Sequence, residues 1–406
     1  MRHTPEGPFS PAEQFRTKIK HDLLAPHHAE PSANVRIGLK EKHALSLYQL
    51  ARALHRRQRQ NKGEEAPFGT REFDEPGLIK DVDVAAVSNE PALYQAFEYI
   101  KDLSGAGIGV GGDQMLDIAA NTNLREVIIC DINPSGIAST RALLEIGRQF
   151  HALLGRYPSV KDYLELLEEK NQLLTFQMIA PVLSAKEQAL ARKQFKGASF
   201  TKSDFQEGFI KGPPLVHLYL SIKAKEHGVN SWISNDANLE KIIHMYEEER
   251  IRLVHGDIAG RHSMAALARN LSDRNVPLSL FYLSNALSFL GESGVAQAGN
   301  WQKFFDNLAR FPLNDQSVVL YSEKFKDPAE KPYGFSEDPY LDYLSKPQWS
   351  HIVHAASDFM QYRDYKDSGD PALFMKKYIK NLKDTQKGAV ATPKKGIYLV
   401  GLSERA

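Results

Sequence analysis

One stretch, from Gly105 to Asn133, constrains the fold of this chain more than any other. It reads GAGIGVGGDQMLDIAANTNLREVIICDIN, and five of its glycines crowd the turn where a first strand is predicted to end. An amphipathic helix is predicted from Asp113 to Ala120. The apolar run Val127–Cys130 follows it, which is typical of a strand buried on both faces of a parallel sheet. The order of strand, glycine turn, helix and strand predicts an open α/β sheet.

An acidic residue, Asp131, ends the second of these strands, 22 positions after Gly109. Residues without a Cβ atom let the backbone approach a ligand closely, and the start of a helix offers free N–H groups. A carboxylate at the end of the second strand can accept hydrogen bonds from both hydroxyls of a ribose. The sequence therefore predicts a nucleoside-containing cofactor in the crevice of the sheet. The alternative is a crossover with a purely structural role, because surface loops are also rich in glycine.

Two later predicted strands also end in polar residues, one before Gly256 and Asp257 and the other before Ser284 and Asn285. Ligands bind beyond the carboxyl ends of parallel strands, so these positions are candidates for contact. Asp257 could accept a hydrogen bond from the amino group of an adenine, or it could cap the helix that follows. Ser284 and Asn285 would lie beside the glycine turn, where they could contact the reactive end of a cofactor or a substrate. A turn at these two residues is the alternative.

The length of 406 residues allows one large α/β domain with insertions, or two domains. We predict a helical N-terminal extension over residues 1–75 and an α/β domain over residues 76–406. A helical insertion at about 157–249 is too long for a simple crossover, and we expect it to cover one side of the sheet. Further strands are predicted at Ile251–His255, Leu278–Leu283, Val318–Tyr321, Ile352–Val353 and Ile397–Val400.

The charge balance argues against a nucleic-acid partner. Lys and Arg total 51 and Asp and Glu total 50, so the net charge is +1, whereas nucleic-acid-binding domains are usually basic. Basic residues do cluster between Arg52 and Lys62. We interpret this cluster as the solvated face of a helix, with a protein partner or an anionic surface as the alternative.

Cys130 is the only cysteine, which excludes an intrachain disulfide and a metal cluster held by thiolates. The N-terminal residues MRHTPEGPFSPAEQ contain no apolar signal core. No apolar run approaches the roughly 20 residues that span a bilayer. We therefore expect a cytoplasmic protein that does not enter a membrane. Export by a route without a cleavable signal stays open.

Three histidines, His255, His351 and His354, are candidates for acid–base groups or metal ligands. Their spacing does not make a ligand set, and a lone histidine near a strand is more often structural. No metal site is predicted. The motifs HExxH and GxSxG and a phosphate-binding P-loop are all absent from the sequence. The catalytic residues therefore stay unknown, and the oligomeric state is not indicated.

Five ordered blocks of the chain resemble an uncharacterised bacterial family of class I S-adenosylmethionine-dependent methyltransferase-like proteins. They lie between roughly positions 105 and 322. The blocks are VGGDQMLDIAANTNLREVIICDIN (Val110–Asn133), SWISNDANLEKI (Ser231–Ile242), RLVHGDIAGRHSMAALARNL (Arg252–Leu271), LSLFYLSNALSFL (Leu278–Leu290) and GNWQKFFDNLARFPLNDQSVVLYS (Gly299–Ser322).

The resemblance implies a Rossmann-like, mostly parallel sheet of about seven strands, with S-adenosylmethionine bound over the Gly109–Gln114 loop. Asp131 would hold the ribose and Asp257 would lie beside the adenine. Ser284 and Asn285 would lie where methyl donor and acceptor meet. The full set of cofactor-binding residues that it implies is Gly109, Val110, Gly111, Asp113, Gln114, Asp131, Ile132, Asn133, Gly256, Asp257, Ile258, Ser284 and Asn285.

The chain also departs from the pattern of such enzymes. Ser104 stands near the position where an acidic residue usually precedes the glycines, and no Asn-Pro-Pro-Tyr signature follows the fourth strand. Amino-group methylation of a base or a glutamine is therefore not supported. We predict an S-adenosylmethionine-dependent methyltransferase with an unknown small-molecule or protein acceptor. One alternative is an NAD(P)-dependent oxidoreductase, because the glycines and Asp131 also suit a dinucleotide. The other is a catalytically inactive Rossmann-like interaction protein, because no catalytic base is evident.

Overall fold

The computed structural model has the mixed, mostly parallel α/β sheet that the sequence predicts. The part of the chain that it describes covers residues 71–78, 93–196, 231–284, 300–324, 349–364, 389–391 and 397–400, with isolated positions at 47, 49, 50, 53, 54, 220, 224 and 286. Eight strands lie in these ranges, one more than the predicted number of about seven. They are β1 (Ala106–Gly109), β2 (Glu126–Asp131), β3 (Ile251–His255), β4 (Leu278–Ser284), β5 (Val318–Lys324), β6 (Trp349–Ala355), β7 (Ala389–Ala391) and β8 (Ile397–Val400).

The strand order across the sheet is β3-β2-β1-β4-β5-β6-β8-β7. Five of the seven neighbouring pairs are parallel, and the antiparallel ones are β5 with β6 and β7 with β8. The chain runs outward from β1 to β3 and then returns to the other side of β1 to form β4. Such a reversal opens a crevice at the carboxyl ends of the two central strands. The crevice between β1 and β4 is the place where Rossmann-like sheets commonly bind their ligands.

The described helices connect these strands and continue beyond β3. They are α1 (Phe97–Ile100), α2 (Gly112–Asn121), α3 (Pro134–Leu154), α4 (Val160–Leu167), α5 (Gln172–Ile179), α6 (Ala185–Lys196), α7 (Asp236–Glu247), α8 (His262–Asp273), α9 (Asn300–Leu308) and α10 (Ala356–Phe359). Helices α4 to α7 lie in the stretch predicted as a helical insertion. Helices α8 and α9 form one apolar cluster with β1, β2, β4 and β5.

Three helix starts are explained by capping contacts that the local sequence supplies. The Asn133 side chain accepts a hydrogen bond from the Ser135 amide at 2.9 Å, at the start of α3. Ser159 and the third residue of α4 form a reciprocal capping box. Ser184 makes the same kind of box with Glu187 at the start of α6. Each cap satisfies amide groups that the helix itself leaves without acceptors, so the local sequence determines where the helix begins.

Two of the glycines predicted to form the turn, Gly107 and Gly109, instead lie inside β1. A Cβ atom at Gly107 would come within 2.7 Å of a Leu124 methyl carbon, and one at Gly109 within 2.8 Å of the Tyr282 Cβ atom. Contacts under 3.0 Å force a rearrangement of a packed interior. These two glycines are therefore explained by packing within the protein.

The amino end of β2 carries a buried ion cluster. Glu126 is 3% exposed, and its two carboxylate oxygens accept hydrogen bonds from Arg274 at 2.7 and 2.9 Å. The Arg252 guanidinium lies 3.5 Å from the same carboxylate and also donates to the Asn270 side chain at 3.0 Å. The cluster joins β2, β3 and α8 at the edge of the sheet opposite to the candidate site.

A buried histidine on β6 makes stability depend on pH. His354 is fully buried beside Tyr321 and Phe359, with its ring centre 5.4 Å from that of Phe359. Burial lowers the pKa of His354 to about 3, because the charged form cannot be hydrated there. The unfolded chain binds a proton on this residue below its ordinary pKa, whereas the folded chain does not until the pH approaches 3. Stability is therefore full at neutral pH and falls as the pH drops through this window.

We expect acidification from pH 7 to pH 5 to cost the wild type about 2 kcal/mol through this residue alone. The variant His354→Leu removes the titration, so its free energy of unfolding should fall by about 2 kcal/mol less over the same range. Urea denaturation at both pH values measures the difference. Replacement of the exposed His244 by glutamine, which removes a histidine without changing the buried ring, is the control. An equal dependence in wild type and His354→Leu would contradict the prediction.

The chain divides into two structural units. One comprises Met1–Glu64 with Phe150–Arg156, and the other comprises Glu65–Gln149 with Tyr157–Ala406. In the first unit, the Arg156 guanidinium lies 5.0 Å from the centre of the Phe150 ring. The sheet and the candidate site belong to the second unit. The domain limits predicted from the sequence, 1–75 and 76–406 with an insertion at about 157–249, stay predictions. Most of the predicted extension lies outside the described residues.

Candidate functional site

Main-chain hydrogen bonds join the carboxyl ends of the four strands that carry the predicted site residues. The Val110 amide donates to the Tyr282 carbonyl at 3.1 Å, which links the end of β1 to β4. The Gly256 amide donates to the Asp131 carbonyl at 3.0 Å, which links β3 to β2. The polar residues that follow these strands are therefore brought to one edge of the sheet, where the crevice lies.

Asp131 is at the centre of this arrangement. Its carboxylate accepts one hydrogen bond from the Gly111 amide at 3.3 Å and another from the Asn133 amide at 2.8 Å. Gly111 has a φ angle of +79°, a left-handed conformation that favours glycine, and this conformation lets its N–H group point at the carboxylate. Asp131 as a whole residue is half-buried. The Gly109–Gln114 loop, called the glycine loop below, is therefore hydrogen-bonded to Asp131, the acidic residue that the sequence predicted to act with it.

The environment of Asp131 changes its acidity. Desolvation raises the pKa of Asp131, and three weaker effects oppose this rise: the hydrogen bonds from the Asn133 and Gly111 amides and the nearby His255 ring. A carboxylate that is short of solvent gains from hydroxyl groups that donate to it. The position is thus suited to a ligand with two adjacent hydroxyls, such as a ribose.

The first turn of α2 faces the protein rather than the crevice. Asp113 is 2% exposed, and its carboxylate accepts a hydrogen bond from the Trp232 indole nitrogen at 2.9 Å. Asp117 accepts one from the Trp232 amide, also at 2.9 Å. Gln114 is 6% exposed, and its side-chain oxygen lies 2.6 Å from where a Cβ atom at Gly111 would be. The Asp113 side chain is therefore committed to Trp232, whereas Gln114 lies against the glycine loop.

Asp257 does not cap the helix that follows it, so that interpretation is wrong. Helix α8 begins five residues later, at His262, after Arg261. Instead, one carboxylate oxygen of Asp257 accepts a hydrogen bond from the Ala259 amide at 2.8 Å and closes a tight turn. Its other oxygen has no hydrogen-bond partner among the described residues. Ile258 is buried in the apolar cluster of α8 and α9.

The end of β4 has an unusual backbone. Ser284 is the last residue of the strand and has a φ angle of +52°, a conformation that residues other than glycine, asparagine and aspartate seldom adopt. The pairing of β4 with β5 shifts between Tyr282 and Ser284. Such strain is most often kept at functional sites. Asn285 lies outside the described residues.

The remaining predicted residues make hydrogen bonds within the protein. The Asn133 side chain caps α3, and the Ile132 carbonyl oxygen lies 3.1 Å from His255 Nε2. Since a carbonyl only accepts, His255 Nε2 carries a proton in this contact. His351 lies 2.9 Å from the Ser322 hydroxyl, and both are buried between β5 and β6. The expectation that these lone histidines are structural stays a prediction.

Two acidic residues of the site, Asp74 and Glu75, were not identified from the sequence. Asp74 accepts a hydrogen bond from the His255 amide at 2.8 Å. Glu75 donates through its amide to the His255 carbonyl at 2.9 Å, and its carboxylate accepts from the Ser263 amide at 2.9 Å. The sequence signal is weak: an acidic pair precedes Pro76, at the end of the predicted N-terminal extension.

Among the described residues, no three His, Cys, Asp or Glu side chains are placed to share a metal ion. Of the helices that the structure describes, none combines the length and the apolar character needed to cross a bilayer.

The comparison with curated proteins found no match. Among solved structures, the chain is similar to the rRNA methyltransferase aviRa from Streptomyces viridochromogenes, with a TM-score of 0.29 and 11% sequence identity over 85% of this chain and 96% of that chain. A likeness at this level carries no conclusion about fold or function.

A family model described as "Domain of unknown function (DUF7790)" matches residues 85–389. This match covers the sheet from β1 to the start of β7, and the chain therefore belongs to the DUF7790 family.

Proposed function

We propose that this protein is an S-adenosylmethionine-dependent methyltransferase. The observation that carries the proposal is the Asp131 carboxylate, which two backbone amides hold at the adjoining ends of β1 and β2. In such a site the Asp131 carboxylate accepts hydrogen bonds from both ribose hydroxyls. Asp257 accepts a hydrogen bond from the amino group of the adenine, through the carboxylate oxygen that has no partner among the described residues. The residues at this edge therefore fit the nucleoside half of the cofactor.

The charge of the same edge favours this cofactor over a nicotinamide dinucleotide. Burial raises the pKa of the Cys130 thiol, and the carboxylates of Asp131, Asp257, Asp74 and Glu75 raise it further. Four acidic side chains thus act on the Cys130 thiol, near the carboxyl end of β2. A dinucleotide carries a negative pyrophosphate, whereas S-adenosylmethionine carries a positive sulfonium. A negative potential attracts the second and repels the first.

Bound S-adenosylmethionine supplies a methyl group on an electrophilic sulfonium centre. The contribution of this chain is to bind the nucleoside, to orient it against the end of β4 near Ser284, and to exclude water. Positioning of this kind accounts for much of the rate enhancement when two reactants are held in line. We assign no residue as a catalytic base, and the acceptor is a small molecule or a protein of unknown identity.

Isothermal titration with S-adenosylmethionine, S-adenosylhomocysteine, NAD⁺ and NADP⁺ tests the proposal. We expect heat from the first two ligands and none from the dinucleotides. The melting temperature should rise with the same two ligands, because a ligand that binds only the folded state stabilises it by mass action. No heat with either adenosyl ligand, or stabilisation by NAD⁺ alone, would be decisive against a methyltransferase.

Turnover separates an enzyme from an interaction protein that has kept only the fold. The wild-type protein is incubated with a donor labelled in the methyl group and with panels of small molecules, proteins and RNA. Label transferred to a small molecule or a protein supports the proposal. Label in RNA would overturn our expectation that no nucleic acid is a partner. Binding without transfer to any panel would favour the inactive interaction protein.

A further inference from the structure

Glu75 forms hydrogen bonds to the residues on both sides of one loop. We call it the Asp257 loop and define it as Gly256–Arg261. Before the loop, the Glu75 amide donates to the His255 carbonyl at 2.9 Å. After the loop, the Glu75 carboxylate accepts from the Ser263 amide at 2.9 Å and from the Ser263 hydroxyl at 3.0 Å. The distance between the two ends of the loop is therefore set by one residue from the segment before β1.

The carboxylate of Glu75 replaces the cap that α8 lacks. Arg261 precedes the helix and makes no side-chain capping bond, so the first amides of α8 need another acceptor. The His262 amide lies 3.2 Å from both Glu75 carboxylate oxygens. A negative group at this helix end is also favoured by the helix dipole.

The same carboxylate also packs closely against the Asp257 loop. A Cβ atom at Gly260 would lie 2.6 Å from a Glu75 carboxylate oxygen and 2.8 Å from the Asp257 carbonyl. The Gly260 amide donates to that carbonyl at 2.7 Å. On its other side the loop is held by Asn307, which donates to the carbonyls of Ile258 and Gly260 at 3.0 and 2.7 Å. The turn that carries Asp257 thus has little freedom to move while Glu75 is present.

We propose that Glu75 is a positioning residue that fixes Asp257 at the base end of the nucleoside site and so sets the preference for an adenine. The inference rests on the proposed function. Asp257 can tell a 6-amino group from a 6-oxo group only if its carboxylate keeps its place, because a 6-oxo group offers an acceptor where the carboxylate needs a donor. When the loop loosens, the Asp257 carboxylate can turn away from a 6-oxo group, and the preference falls.

The test compares S-adenosylhomocysteine with its 6-oxo analogue S-inosylhomocysteine by isothermal titration. The wild type should prefer the adenosyl ligand, and Glu75→Ala should lower that preference by about tenfold, the equivalent of one weakened hydrogen bond to a charged group. Glu75→Gln keeps one acceptor oxygen and should restore part of the preference. Glu72→Gln is the matched control, since the Glu72 side chain is exposed on the same segment, and it should behave as the wild type.

Hydrogen exchange supplies a readout that does not depend on any ligand. In Glu75→Ala, and to a smaller degree in Glu75→Gln, the amides of the Asp257 loop and of His262 and Ser263 should exchange faster, while those of α2 stay unchanged. Folded Glu75 variants with wild-type exchange and wild-type ligand preference would overturn the inference and leave the proposed function intact. If the wild type binds neither ligand, the proposed function and the inference fail together.

Discussion

The variant Glu126→Ala is expected to lose about 3 kcal/mol of the free energy of unfolding. Removal of one partner from a buried ion pair is costly because the other charge stays behind without compensation. Here Arg274 and Arg252 keep 35% and 18% of their side-chain surface exposed, so water compensates them in part. We therefore expect a loss at the lower end of the range for buried pairs. Chemical denaturation, analysed as a two-state transition, measures it.

The matched control is Asp306→Ala, which breaks the pair of Asp306 with Arg363. Both side chains of that pair are nearly half exposed, and exposed pairs contribute less than about 1 kcal/mol. Glu126→Gln keeps the shape of the side chain and should fall between the two. A loss in Glu126→Ala no larger than that of the control would show that the cluster on β2 is not a stabilising element.

The variant Asp131→Asn is expected to bind S-adenosylhomocysteine about 100-fold more weakly than the wild type, which corresponds to two weakened hydrogen bonds to a charged acceptor. Asparagine keeps one oxygen that can accept from a neighbouring amide, so the variant should fold. Isothermal titration measures the affinity. The control is Asp315→Asn, the same substitution at an exposed position in the turn before β5, and it should bind as the wild type does.

The pH dependence of binding gives Asp131 a second readout. Only the ionised carboxylate accepts from two hydroxyls, so the affinity should fall as the pH drops through its pKa. Since desolvation raises the pKa of Asp131, this fall should begin at a higher pH than for an ordinary aspartate. The dependence should be absent in Asp131→Asn. An unchanged affinity in this variant, or the same pH profile in both proteins, would exclude the carboxylate as the ribose acceptor.

Local patterns predicted much of the fold because their causes are local. The predicted apolar run before Asp131 formed β2, and the Ser159 and Ser184 side chains cap the helices that begin directly after them. The contact of Gly111 with Asp131 was also predictable, because one strand, one turn and one helix separate them. The methyltransferase activity and the roles of the thirteen predicted binding residues stay predictions.

Contacts between distant parts of the chain could not be predicted in the same way. Asp74 meets His255 across 181 positions, and Trp232 meets Asp113 across 119. No residue near Gly109 in the sequence indicates that Tyr282 packs directly against Gly109. The role of a residue such as Asp113 depends on which residues from distant parts of the sequence lie within hydrogen-bonding distance of it. These contacts are defined only by the folded structure.

The contact between Trp232 and Asp113 gives the protein a natural optical reporter. The indole is buried, and its nitrogen donates to a carboxylate in the first turn of α2, directly after the glycine loop. The chain has only three tryptophans, and Trp301 belongs to α9 in the apolar cluster. A protein with phenylalanine in place of Trp301 and Trp349 would retain Trp232 as its single tryptophan. Its tryptophan fluorescence would then report movements of the glycine loop in real time.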